Sequence, residues 1–117
     1  MSDTPLWSPS QDEIENTHLK AFMAQCGHKS MHYHDFWQWS VDHHETFWNQ
    51  LWDYCNVIGD KGDITLRDPE KMTGGQFFPN GRVNYAENLL RKRDNQNAVI
   101  FRNEKGVERS LTYQEFY

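Results

Sequence analysis

Side chains suited to a buried face return at four-residue steps near the start of the chain. Ile14, His18, Phe22 and Cys26 form the row, with Leu19 and Met23 beside them. That spacing predicts an amphipathic helix, with His18 as a hydrogen-bonded core histidine. Two overlapping capping boxes could start it. Ser8-Pro9-Ser10-Gln11 puts proline at the first helical position, and Ser10-Gln11-Asp12-Glu13 is the second choice. Gly27 supplies a stop, and Trp7 is placed to staple back onto the first turn. Further on, Tyr33, Phe36, Trp37, Trp39, Phe47, Trp48, Trp52 and Tyr54 put 8 of the chain's 17 aromatic residues within 22 positions. Tyr33 to Val41 reads as a short helix or turn. Asp42-His43-His44-Glu45 then has the D-x-x-E pattern of a cap, for a helix running to about Asn56. Its apolar side would carry Phe47, Trp48, Leu51, Trp52 and Cys55, and its polar side Thr46, Asn49, Gln50 and Asp53. Such a stripe is core material, or else a docking surface for another domain.

The pattern then changes. From Gly59 to Gly81, Gly59, Gly62, Pro69, Gly74, Gly75, Pro79 and Gly81 interrupt every period, so the stretch reads as one long loop. Asn84-Tyr85-Ala86-Glu87 offers a capping box for a helix through Asn88, Leu89 and Leu90 to about Arg93. A hairpin follows, with Ala98-Val99-Ile100-Phe101 going out, Asn103-Glu104-Lys105-Gly106 turning, and Val107 to Leu111 returning. Thr112-Tyr113-Gln114-Glu115 caps one more helix at the end of the sequence, so a continuation beyond Tyr117 is expected. The fold class is α+β and mainly helical. It comprises a helical N-terminal extension over 1–93 and, over 94–117, a β-hairpin that begins a larger domain.

Composition narrows the function. The chain has 117 residues, and 15% of them are aromatic, which excludes a globally disordered chain. Residues 1–81 hold 5 basic and 12 acidic side chains, a net of −7, and residues 82–117 hold 7 and 5, a net of +2. An acidic first two-thirds argues against nucleic acid as a partner. Arg91-Lys92-Arg93 reads as the last turn of a helix, where cations meet the negative end of its dipole. No apolar run approaches the roughly 20 residues that cross a bilayer, and Met1 to Ser10 shows no secretory pattern. Both point to the cytoplasm and away from a membrane partner. Cys26 and Cys55 read as buried free thiols.

Chemistry-bearing motifs are sparse. Gly59-Asp60-Lys61-Gly62 lacks the order of a phosphate-binding loop, Thr73-Gly74-Gly75 is too short to cradle a polyphosphate, and Asp60 and Asp63 miss the calcium-loop pattern. Five of six histidines lie between His28 and His44. His32, His34 and His43 or His44 could supply three zinc ligands, but no H-E-x-x-H or paired-cysteine motif accompanies them. A hydrogen-bonded or solvent-facing cluster is the plainer reading.

One segment is specific. Phe77-Phe78-Pro79-Asn80-Gly81-Arg82-Val83-Asn84-Tyr85-Ala86-Glu87-Asn88-Leu89-Leu90 resembles the W-F-P-G-A-R-L-N-Y-A-E-N-L-L segment of acetoacetyl-CoA synthetases, adenylate-forming acyl-CoA ligases related to acetyl-CoA synthetase. Trp7-Ser8-Pro9-Ser10, Trp39-Ser40-Val41, Phe47-Trp48, Leu51-Trp52-Asp53, Ala98-Val99-Ile100-Phe101 and Leu111-Thr112-Tyr113 resemble other stretches of that family in the same order. Phe77 stands where the family often has Trp, and Asn80-Gly81 where it has Gly-Ala, which leaves room for a sister ligase with another short acid. The resemblance implies a parent enzyme that uses ATP, Mg and CoA. It implies no catalytic, cofactor-binding or metal residue in these 117 positions, because the family's phosphate loop and adenylation lysine have no match here. The fragment's partner would be the rest of the same polypeptide, with small-molecule substrates bound only by the parent. Phe77, Phe78, Pro79, Gly81, Arg82, Asn84, Tyr85, Glu87, Asn88 and Leu89 are then structural, a device pinning a long loop onto a surface. The competing class is a free-standing aromatic-faced interaction module.

Overall fold

The computed structural model describes residues 5–117, so Met1–Thr4, part of the stretch searched for a leader, lie outside the described residues. The chain divides into two compact units after Val57. The described residues are rich in short helices, with three small antiparallel sheets, an α+β arrangement.

The first unit holds α1 (Gln11–Glu15), α2 (His18–Gln25), α3 (Tyr33–Asp42) and α4 (His44–Tyr54). The single helix expected over the first periodic stretch is broken. Ser10 caps α1 in a full box with Glu13, so the second of the two cap choices is the one used. Asn16 and Thr17 then interrupt. The Asn16 amide donates back to the Asp12 carbonyl at 2.8 Å, and the Thr17 hydroxyl accepts from the Lys20 N–H to start α2. Both side chains satisfy backbone groups better outside a helix than within one. His18 is therefore the exposed first residue of α2, not a core histidine. Its carbonyl accepts from the Tyr54 hydroxyl at 3.0 Å. At the far end Gly27, with φ +81, lets His28 N–H reach the Met23 carbonyl and its own N–H reach Ala24, a Schellman stop.

The core of this unit is Phe22, Met23 and Phe36, with Cys26, Met31, Trp39, Phe47, Leu51 and Tyr54 packed around it. Phe22 is the hub. Its ring meets Phe36 edge-on at 5.9 Å, Phe47 edge-on at 5.7 Å and Tyr54 at 5.1 Å, joining α2 to α3 and α4. Asp42 does not cap α4. It closes α3, where its carboxylate accepts from the Gln38 amide at 2.9 Å, and His43 takes the cap position without a side-chain bond. The inward face of α4 is consequently Phe47, Leu51 and Tyr54. Cys55 turns outward, so it is an exposed thiol, and Cys26 is half-buried. Gln50, expected on the polar side, is half-buried, and its Oε1 has no partner. Trp37 and Trp48 remain exposed, and Trp7 is exposed as well.

The second unit opens with two nested antiparallel rungs in place of an unbroken loop. β1 (Gly59–Asp60) pairs with β4 (Arg82–Val83), and inside it β2 (Leu66–Arg67) pairs with β3 (Gln76–Phe77). Leu66 is buried here. Gly59 is needed where the outer rung closes, because a Cβ there would lie 2.5 Å from the Arg82 carbonyl oxygen. α5 (Tyr85–Leu89) stops at Leu90, so Arg91-Lys92-Arg93 is not a helical turn. Its cations serve the segment that follows: Lys92 pairs with Asp94 at 3.4 Å and lies over the Tyr113 ring, and Arg93 stacks over Tyr117. β5 (Asn97–Arg102) and β6 (Glu108–Thr112) pair antiparallel, with a register shift between Asn97 and Val99. The Asn103 carboxamide accepts from the N–H groups of Lys105 and Val107 in the connecting turn, and Arg102 bridges Glu108 at 2.9 Å. Thr112 caps α6 (Tyr113–Phe116) in a full box with Glu115.

Candidate functional site

The segment Phe77 to Leu89 lies wholly in the second unit and runs through β3, a turn, β4 and α5. Phe77 faces Leu66 across the inner rung and is 53% exposed. Phe78 is half-buried at φ +47, a left-handed backbone that a bulky residue adopts only when its surroundings hold it. They do: its N–H donates to the Thr65 carbonyl at 2.8 Å, and its carbonyl accepts from the Gly81 N–H at 2.8 Å across Pro79 and Asn80. That is a tight turn with proline at its second place. Gly81 fits because a Cβ would crowd the Phe78 carbonyl oxygen at 3.0 Å. Arg82 pairs with Asp60 in the outer rung. Asn84 caps α5, its side chain accepting from the Glu87 N–H at 3.3 Å, but only this half of the expected box forms. Tyr85 and Leu89 project into solvent, at 77% and 56% exposure.

Asn88 has the most connected side chain of the segment. Its Nδ2 donates to the Ile58 carbonyl at 2.8 Å and to the Asn84 carbonyl at 2.9 Å, and its Oδ1 accepts from the Ile58 N–H at 2.8 Å. The amide thus copies a strand partner and holds both backbone groups of Ile58. A second tie, from Asn80 Nδ2 to Asp63 Oδ1 at 2.6 Å, spans the same loop. That bond is the main reason the Asp63 carboxyl sits below the usual carboxylate range; a backbone bond and the Arg67 charge add to it. Neither tie was visible in the sequence: the partners are 30 and 17 positions apart, and asparagine in a Gly/Pro-rich stretch reads as a turn former.

Among the described residues, the resolved pKa shifts activate no group. Glu13 and Glu115 are held low by the Ser10 and Thr112 bonds of their capping boxes, and burial pushes the Cys26 thiol up. These shifts make carboxylates weaker bases and a thiol a weaker nucleophile, the reverse of what catalysis needs. Among the described residues no group of three or more His, Cys, Asp or Glu is placed to hold a metal ion. Three histidines of the zinc alternative make other contacts. His34 stacks on Trp37 at 5.3 Å and His43 on Trp39 at 6.0 Å, and the His44 ring pairs with the Val41 carbonyl at 3.0 Å. No helix among the described residues is long and apolar enough to cross a membrane.

Residues 33–89 match the family model described as the acetyl-coenzyme A synthetase N-terminus. Those bounds are the first residue of α3 and the last residue of α5. Acetoacetyl-coenzyme A synthetase of Rhizobium meliloti (strain 1021) is 38% identical over 118 residues, covering 97% of this chain and 18% of that protein. Acetoacetyl-CoA synthetase of Gallus gallus is 32% identical over 123 residues, covering 98% of the chain and 18% of its own length. A malonamoyl-CoA synthetase of Penicillium aethiopicum is 28% identical over 122 residues, covering 94% and 17%. The chain therefore spans under a fifth of the length of these curated relatives. No solved structure matches it. By the domain it carries and the relatives that align along nearly all of it, the chain belongs to the N-terminal region of the acetoacetyl-CoA synthetase family.

Proposed function

We propose that the chain serves as the N-terminal part of a cytoplasmic, ATP-dependent acetoacetate–CoA ligase. In that reaction the acetoacetate carboxylate attacks the α-phosphorus of ATP and diphosphate leaves. The thiol of CoA then attacks the acyl-adenylate carbonyl, giving acetoacetyl-CoA and AMP. ATP, Mg and CoA belong to the longer polypeptide, and no residue of this chain is assigned to them. Residues 1–93 act as its helical extension, and 94–117, with the β5–β6 hairpin, begin its large domain. The motif from Phe77 to Leu89 has a structural part, fixing the fold of the second unit. The observation that carries this reading is the 38% identity to the Rhizobium synthetase along 97% of the chain.

The test is to express the complete gene product and measure diphosphate release with acetoacetate, ATP and CoA. Release that requires all three is expected; release indifferent to acetoacetate would overturn the assignment of the acid. A ligase for another short acid is the second reading, favoured by the match to a malonamoyl-CoA synthetase. A panel of short carboxylic acids in the same assay separates the two.

A further inference from the structure

Among the described residues of the first unit nothing covers one side of α3, and that side is apolar. At 100° per residue, Phe36 and Trp39 form one stripe of α3, and this stripe packs on the core. Tyr33, Trp37 and Val41 form a second stripe about 130° away by the same geometry. They are 67%, 47% and 49% exposed. The polar side chains His34, Asp35, Gln38 and Asp42 occupy what remains. A surface helix needs one apolar stripe, and a helix with two belongs in an interior. Tyr33 also lines an apolar groove of about 640 Å³ with Trp7, Ile14, Leu19, Met23 and Met31, so groove and stripe form one continuous surface.

The relatives show how much chain is at hand to cover this surface, since more than four-fifths of their length lies outside the match. By sequence the first unit as a whole is acidic: residues 1–57 carry 8 acidic and 2 basic side chains, a net of −6.

We propose that the Tyr33–Trp37–Val41 stripe and the adjoining groove dock against the part of the longer ligase polypeptide that follows residue 117, through an apolar patch with a basic rim. This rests on the ligase reading above and names the surface through which the extension acts. The occupant is the ligase's own chain, so docking is intramolecular and independent of concentration.

Val41→Cys, made both in the 117-residue chain and in the complete gene product, reports on it by alkylation with iodoacetamide and peptide mapping. Gln25→Cys, at an exposed position of α2 outside the stripe and groove, is the reference. Position 41 is expected to react at least tenfold more slowly in the complete protein than in the 117-residue chain, at every protein concentration, with position 25 unchanged. Equal rates at position 41 overturn the proposal. Protection that appears only at high concentration assigns the surface to a second copy and overturns it too, and a gene product ending at residue 117 removes the occupant altogether. Acetoacetate-dependent diphosphate release by the same preparation separates the two claims. Activity without protection sinks the docking alone, and protection without activity sinks the acid assignment alone.

Discussion

Phe22 is the residue on which three helices converge, since its ring contacts Phe36, Phe47 and Tyr54. Phe22→Ala is expected to cost about 3–5 kcal/mol, read as a fall in the urea midpoint of the first unit's tryptophan fluorescence. Asn88→Ala removes three hydrogen bonds to backbone and is expected to cost about 1–3 kcal/mol, with loss of protection at the Ile58 amide. Glu13 and Glu115 give a pH signature. Their carboxyls are held below the usual range by hydrogen bonds from Ser10 and Thr112. A depressed folded pKa means that the stabilisation is present above the ordinary carboxylate range and is lost as pH falls through the lowered value. Carboxyl NMR titration should place both midpoints below the ordinary glutamate range, and Ser10→Ala should return Glu13 towards it. Ser10, Gly27 and Thr112 could be read from the sequence because a cap involves residues three or four apart. The Asn88–Ile58 clamp could not, because it joins positions 30 apart by a bond that no local pattern announces.

At the scale of elements, the sequence placed the helices better than it placed their ends. The period from Ile14 to Cys26 is real, yet Thr17 caps a new helix within it. Thr17→Ala is expected to cost about 1 kcal/mol, seen as reduced amide protection in the first turn of α2. Asp42 carries a cap pattern but spends its carboxylate on Gln38, and sequence alone cannot weigh those two bonds. Arg91-Lys92-Arg93 went astray for a related reason: its aromatic partners, Tyr113 and Tyr117, lie 21 and 24 positions on. The rungs at 59–83 escaped notice because two-residue strands have no period to detect. Gly59→Ala would force a Cβ to within 2.5 Å of the Arg82 oxygen. It is expected to break the β1–β4 rung, erasing exchange protection there while leaving α4 unchanged.

At the scale of the whole molecule, no group of three or more His, Cys, Asp or Glu among the described residues is placed to hold a metal ion, and burial pushes the Cys26 thiol up. Because the phosphate loop and adenylation lysine of the resembled family have no match in these 117 positions, the 117-residue chain is expected to show no ATP–diphosphate exchange with acetoacetate above a buffer blank. Protection should also be uneven. The β5–β6 ribbon keeps Val99, Ile100, Phe101 and Leu111 between 41% and 59% exposed, and two strands alone are marginal in water. Amides of 98–111 should exchange faster than those of 44–55, and equal protection would argue for a self-sufficient hairpin. The Asn88 clamp has a further consequence, in time and not in energy. On a ribosome the chain appears from its N-terminus at about 5–20 residues per second. Ile58 is made before its partner, and by that pace it waits roughly 2 to 6 seconds for Asn88 to be added. The Phe22 hub draws all its ring partners from residues 22–54 and can assemble during that wait. The order of synthesis thus lets the helical unit close first, while the backbone groups of Ile58 wait for the asparagine that holds them.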